Sequence, residues 1–288
     1  MKTLLKSRTP NYSLITITLI LFILFSFQNV NAQKLKGNKI VTIVDRELES
    51  FHSIIVSDKL EVNLIPSRNS GVSIETDENL HVAIGTEISA GVLSISLDQK
   101  IQRKKTLKIN VRVTDSIQLI EVSNKASVHS ANVIHSKSLT LKATEHAKLD
   151  LVLDTYKLDV FAGDRSTIRL KVSAENSINF ELSGRNDSFI EGRSDSNTVS
   201  LTENASIKLT GTCNELNLTV NDNGSCKAKE YSCDDAIVTV ANKADVDVNV
   251  KTEIKIQASD NSEINLYGEP RIIINSFTGK AKLSKKEI

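Results

Sequence analysis

The sequence predicts an all-β fold, a right-handed parallel β-helix (a solenoid) with an N-terminal β-meander or capping strands, and three observations predict it. From residue 116 to residue 268, Val, Ile and Leu fall at every second position and no stretch keeps a helical period. The apolar runs recur about every twenty residues. Between them stand Asn, Asp, Ser and Gly, which suit the corners of a coil.

In chain order, residues 1–32 read as a secretory signal peptide. Lys2, Lys6 and Arg8 form a basic start, Leu14 to Phe27 is an apolar run, and Val30 and Ala32 hold the small-residue places before a cleavage point. The apolar run is shorter than the ~20 residues a spanning helix needs, so the segment is expected to engage the membrane only during export. Without it, 33 basic residues face 35 acidic ones, a balance that argues against nucleic acid as a partner. Trp is absent and aromatics are 4% of the chain, which leaves few stacking platforms.

Residues 33–115 form an N-terminal β-rich part, expected to be continuous with the coils of residues 116–288. Its alternating runs include Ile54 and Val56, then Leu60, Val62 and Leu64, and finally Leu107, Ile109, Val111 and Val113. The breaks at Ser67–Gly71 and Ser89–Gly91 are short enough for hairpins.

The coils align on one small residue each: Ala126, Ala147, Ser166, Ser188, Ala205, Gly224, Ala244 and Ser262. Two residues later comes an apolar column of Val128, Leu149, Ile168, Ile190, Ile207, Cys226, Val246 and Ile264. Six residues earlier comes a second, with Ile120, Leu141, Val160, Leu182, Val199, Leu218, Val238 and Ile256. Both are expected to face inward. Two residues before the small residue lies a polar column of Asn124, Glu145, Asp164, Asn186, Glu203, Asp222, Asn242 and Asp260, the mark of a recurrent corner with left-handed backbone. About four buried side chains per coil contribute on the order of 6–12 kcal/mol, against ~1–2 kcal/mol of ordering cost for each residue. A lone coil cannot fold, and stacking is obligatory.

A segment-by-segment resemblance extends this reading. Arg46-Glu47-Leu48-Glu49-Ser50-Phe51-His52-Ser53-Ile54, then Val62 and Leu64, then Val72-Ser73-Ile74-Glu75-Thr76-Asp77-Glu78-Asn79-Leu80, then Gly91-Val92-Leu93-Ser94-Ile95, resembles the putative autotransporter-adhesin head GIN domain family. The resemblance spans residues 40–285 as one domain. It implies a β-helical protein of the Gram-negative envelope, periplasmic or on the cell surface, with no established activity. The tripeptide Gly-Ile-Asn itself is absent, Ser177-Ile178-Asn179 being nearest, and Gly is scarcer than the family's corners usually carry.

The search for chemistry yields little. His52, His81, His129, His135 and His146 show no metal-ligand spacing, so no metal and no cofactor is expected. Asn221-Asp222-Asn223-Gly224 lacks the later carboxylates of a calcium loop and falls on the corner column. Three residues after the small residue, Asp150, Arg169, Glu191 and Lys208 alternate in sign, as a cross-coil ion-pair ladder does and a catalytic cluster does not. No catalytic residue is assigned and the protein is read as a non-enzyme. Cys213 and Cys233 fall at equivalent places on adjacent coils, which stand about 4.8 Å apart, inside the ~4.4–6.8 Å window of bridged Cα atoms. A disulfide between them is expected, with Cys226 buried and free. Lys100, Arg103, Lys104, Lys105 and Lys108 are the densest basic cluster, in or beside a hairpin before the Leu107 strand. Lys100, Arg103, Lys104 and Lys105 are candidate contacts for an anionic ligand, with a solvated turn as the plain alternative. The expected role is a putative adhesin or binding module for an envelope or host glycan or a surface protein. The alternatives are a structural envelope protein without a ligand and, behind it, a polysaccharide-active enzyme.

Overall fold

The computed structural model describes residues 34–287, so the expected signal peptide, residues 1–32, lies outside the described residues. Strands β1 (Leu35–Lys36), β2 (Val41–Glu47), β3 (Ser53–Val56), β4 (Glu61–Pro66) and β5 (Gly71–Asp77) lead to a 3-10 helix at Glu78–Ala83. Strands β6 (Ile84–Ser89), β7 (Val92–Leu97), β8 (Ile101–Arg103) and β9 (Leu107–Val113) follow it. The coils are then built by β10 (Leu119–Val122), β11 (Ser127–Ala143), β12 (Lys148–Ala162), β13 (Thr167–Leu182), β14 (Asp187–Leu201), β15 (Ser206–Val220), β16 (Ser225–Val240) and β17 (Asp245–Ala258). Last come β18 (Glu263–Tyr267), β19 (Arg271–Phe277) and β20 (Lys282–Lys285). Together they form a β-solenoid of about nine turns, with 69% of the described residues in strands.

Each central coil is one long strand that bends around the core. In β12, Leu149, Leu151, Leu153 and Thr155 are buried, the alternation changes phase at Tyr156–Lys157, and Leu158, Val160 and Ala162 continue it. The ladder to β13 is irregular at the same place, between Thr155 and Lys157. An extra residue there keeps apolar side chains inside while the strand turns. Seven residues of this strand are buried, more than the roughly four expected per coil from the sequence.

Parallel pairing in register stacks the coils, and Ile120, Leu141, Val160, Phe180, Val199, Leu218, Val238 and Ile256 form a single inward column. One coil departs from the sequence alignment. Ile168 pairs with Ser188, so Asn186 rather than Ser188 holds the place of the small residue. Phe180 accordingly replaces Leu182 in the inward column, and Ser188 replaces Ile190 in the other. A slip of two residues leaves every side chain on its own face of the strand, so the alternation could not expose it.

The N-terminal strands join the same stack. β3 pairs in parallel with β10 on one side and β7 on the other, while β4 stands between β11 and β9. The first coil in sequence is therefore an interior coil in space. β2 and β9 flank β5, and β6 flanks β7, all antiparallel. Ser89–Gly91 is a hairpin as expected, with Ala90 and Gly91 both at positive φ. Ser67–Gly71 is not. Both edges of β4 are occupied by parallel neighbours, so β5 pairs with β9 instead.

Asp77 holds this part together from within. Its buried carboxylate accepts the backbone N–H of Lys39 at 2.6 Å and of Lys105 at 2.7 Å. The bond from Lys105, foremost among several backbone donors, holds the carboxyl below the usual carboxylate range. Because the folded value lies below the unfolded one, the stabilisation is complete above the unfolded value of ~3.9 and is lost as pH falls through the folded value. The gap in urea midpoint between wild type and Asp77→Asn is expected to be wide at neutral pH and to narrow below about pH 4. A gap that grows on acidification would contradict this.

A buried tyrosine follows two glycines in one column across the coils. Gly192, Gly211 and Tyr231 are register partners on successive coils, and the Tyr231 hydroxyl accepts a hydrogen bond from Asn197 Nδ2 at 3.0 Å. Gly211 has φ +120, and a Cβ there would meet the carbonyl oxygen of Gly192. Gly211→Ala is expected to lower unfolding stability by about 1–3 kcal/mol, measured by urea denaturation.

Candidate functional site

Lys100 and Lys104 line a groove of about 690 Å³ together with Lys59, Lys125 and His146. These last three come from corners of the stacked coils, and the structure brings them to the cluster expected from the sequence. None of the four lysines lies within ion-pair distance of a carboxylate among the described residues. Asp58 and Glu145 share the groove. The Asp58 carboxylate is already engaged, accepting the backbone N–H of Leu97 at 3.1 Å and the Ser57 hydroxyl at 3.2 Å.

Arg103 and Lys105 do not line this groove. β8 pairs with β1 rather than forming a hairpin with β9, the Arg103 carbonyl accepts the N–H of Gly37, and the Lys105 N–H is taken by Asp77. These bonds draw that stretch toward β1. The cluster is thus divided in two, with Lys108 paired to Glu75 at 3.1 Å.

Sequence reasoning missed the contribution of the corners. One residue before each small-residue place stand Lys59, Lys125, His146, Arg165 and Arg185, a basic seam carried coil by coil. The signal lay in the sequence, in a column adjacent to those aligned. Beyond Arg185 the seam is interrupted by Asn204 and Asn223, and a basic residue returns at Lys243.

A second groove, about 520 Å³, crosses β11 to β15 and is lined by Val133, Val152, Lys171, Glu191, Gly192 and Gly211 among others. Lys171 pairs with Glu191 at 2.9 Å, His135 lies 3.3 Å from Asp154, and Arg193 donates from Nε to the Ser173 hydroxyl at 3.0 Å. The expected alternating ladder is corrected by the register shift. Phe189, not Glu191, stands between Arg169 and Lys208, and the Arg169 guanidinium lies 5.3 Å from the Phe189 ring centroid. Glu191 instead pairs with Lys171 one column away.

His52 and His81 bond to the hydroxyls of Ser53 and Thr42 at 2.9 and 3.0 Å. Among the described residues, no three His, Cys, Asp or Glu side chains are grouped to hold a metal ion. Cys213 and Cys233 are register partners, their Cα atoms 4.7 Å apart and their sulfurs within bonding distance. Cys226 is buried and unpaired, and burial foremost, with Asp247 and Asp245 adding to it, pushes its thiol up to about 12.

Fold and seam define a stacked β-solenoid that presents a fixed row of basic side chains on one corner. The description of one family, "putative auto-transporter adhesin, head GIN domain", matches residues 50–270, and the chain belongs to that family. Solved structures share the fold. A putative adhesin from Parabacteroides merdae aligns with TM-score 0.67 at 15% identity, over 88% of this chain and 100% of that one. A putative adhesin from Parabacteroides distasonis aligns with TM-score 0.60 at 16% identity, over 89% and 100%. A protein from the same species described as a putative lipid binding protein aligns with TM-score 0.54 at 17% identity, over 88% and 100%. No curated protein matches the chain.

The thiol chemistry is checked by alkylation. Native protein at pH 8 is expected to take no iodoacetamide, because a thiol held near 12 is protonated there and Cys226 is buried. Denatured without reductant, it is expected to be labelled at Cys226 alone, and a map with all three cysteines labelled would refute the Cys213–Cys233 bridge.

Proposed function

We propose that this chain is a non-enzymatic, exported envelope module of the adhesin type, whose basic seam engages an anionic glycan. The observation that carries the reading is the groove of Lys59, Lys100, Lys104 and Lys125, four cations with no ion-pair partner among the described residues. Unpaired cations at fixed spacing repel one another, and a polyanion laid along the coil axis relieves that repulsion. A linear glycan with a charged group on each residue presents such a row. Family membership supports an adhesin-like protein at the cell surface or envelope. The N-terminal segment of residues 1–32 supports export.

The test uses a sulfated or uronate-bearing polysaccharide and the folded mature protein. Lys100→Glu, Lys104→Glu and Lys125→Glu together are expected to weaken binding at least about tenfold, and binding to wild type is expected to fall steeply with added salt. Arg103→Glu with Lys105→Glu, outside the groove, is expected to cost far less. Equal losses in the two variants, or binding indifferent to salt, would overturn the assignment to the seam. Product release from the polysaccharide would overturn the non-enzymatic reading.

A further inference from the structure

The corners of the solenoid are four-residue turns whose two central residues carry the seam, and they come in two kinds. At Asp58–Lys59, Asn124–Lys125, Glu145–His146 and Asp164–Arg165, both central residues have positive φ, the pattern of a type I′ turn. From Gly184 onward only the first does, at Gly184, Glu203, Asp222, Asn242, Asp260 and Gly279, the pattern of type II′. The two kinds differ by a half-turn of the peptide that joins the central residues.

The hydrogen bonds between corners record that half-turn. In the first kind the second central N–H donates forward, from Lys59 to Asn124, from Lys125 to Glu145 and from His146 to Asp164. In the second kind it donates backward, from Asn204 to Gly184, from Asn223 to Glu203 and from Lys243 to Asp222. The reversal falls between Asp164–Arg165 and Gly184–Arg185. By turn type the Arg165 N–H points forward and the Arg185 N–H points back, while the carbonyls of Asp164 and Gly184 face away, taken by His146 and Asn204. Two donors confront each other across one coil spacing, and neither has a backbone acceptor among the described residues.

Three further features converge on this gap. The Asn186 N–H, whose counterparts at Ala126, Ala147, Ser166, Ala205, Gly224 and Ala244 close their turns, makes no such bond. The guanidinium groups of Arg165 and Arg185 are exposed and without an ion pair among the described residues. Gly184 leaves the corner column without a side chain between Asp164 and Glu203, which removes a carboxylate beside the two arginines. Unpaired backbone N–H groups in turn conformations make anion-binding concavities, the two corners here each offer one such group to a shared gap, and arginine adds charge-assisted bonds to anion oxygens.

We infer that the gap between the Gly163–Ser166 and Ser183–Asn186 corners binds a single phosphate or sulfate oxyanion. Its oxygens accept the N–H groups of Arg165 and Arg185, and the two guanidiniums close over it. The site rests on peptide geometry rather than on the lysine groove, so it stands or falls separately from the polyanion reading.

The probe is inorganic phosphate, added to the isotope-labelled mature protein at constant ionic strength against chloride. The amide resonances of Arg165, Arg185 and Asn186 are expected to shift saturably with phosphate and not with chloride, while those of Asn223 and Lys243 stay in place. Two variants separate peptide from side chain. Arg185→Ala keeps the corner and removes one guanidinium, and binding is expected to weaken several-fold. Arg185→Gly opens positive φ at the second central position, which lets the Gly184 carbonyl turn to the Arg165 N–H, and binding is expected to fall at least about tenfold below that of Arg185→Ala. Equal binding in the two variants, or wild-type shifts that chloride reproduces, would overturn the inference. Glucose 6-phosphate in a parallel titration distinguishes the source: tighter binding than inorganic phosphate marks a sugar ester, and equal binding marks the free anion.

Discussion

Each coil of this protein exists only as a surface for the next. Its seven inward residues, as in β12, contribute on the order of 10–20 kcal/mol, while ordering its backbone costs ~1–2 kcal/mol per residue. The edges of its strand carry N–H and C=O groups that only the neighbouring coils satisfy. Stability therefore belongs to the interfaces between coils. The same requirement explains why β3 and β4, first in the chain, lie between β10–β11 and β7–β9: both of their faces are covered only after the chain has continued on either side.

In-register stacking turns single-residue choices into long-range features. A basic residue at one corner is an isolated surface charge, but Lys59, Lys125, His146, Arg165 and Arg185 at one register become a seam. A glycine in place of an acidic corner residue is locally modest, yet at Gly184 it coincides with a reversal of the hydrogen bonds along the corners. The Cys213–Cys233 pair and the Gly192–Gly211–Tyr231 column follow the same logic, since each has meaning only across coils. Together these features describe a rigid body on which charge is placed by backbone register. Membership in the family supports an adhesin-like protein at the cell surface or envelope.

Much of the architecture was legible in one dimension. The period near twenty residues identified stacked coils, and the polar corner column anticipated left-handed backbone that is found at Asn124, Glu145, Asp164, Glu203, Asp222, Asn242 and Asp260. The exception, Asn186, is instructive. Its coil was misaligned by two residues, and the buried Asn186 instead bonds to Ser166 and Ser188 while Gly184 makes the corner. The candidate site was legible only in part. Lys100 and Lys104 were identified as a cluster, but their companions lie far away in sequence and Arg103 and Lys105 are held elsewhere by β1 and Asp77.

By itself the sequence determined that this is an all-β protein of stacked coils, because a period-two pattern repeated at coil length leaves no other way to bury its apolar residues. It determined which residues face inward within each run between bends, since there the choice depends on parity alone. Only the tertiary structure decided register, and with it which side chains meet across coils, because slips of two residues preserve parity and change every neighbour. Only the tertiary structure decided the orientation of each corner peptide, a choice between two turns of similar composition that is made by the coil packed against it.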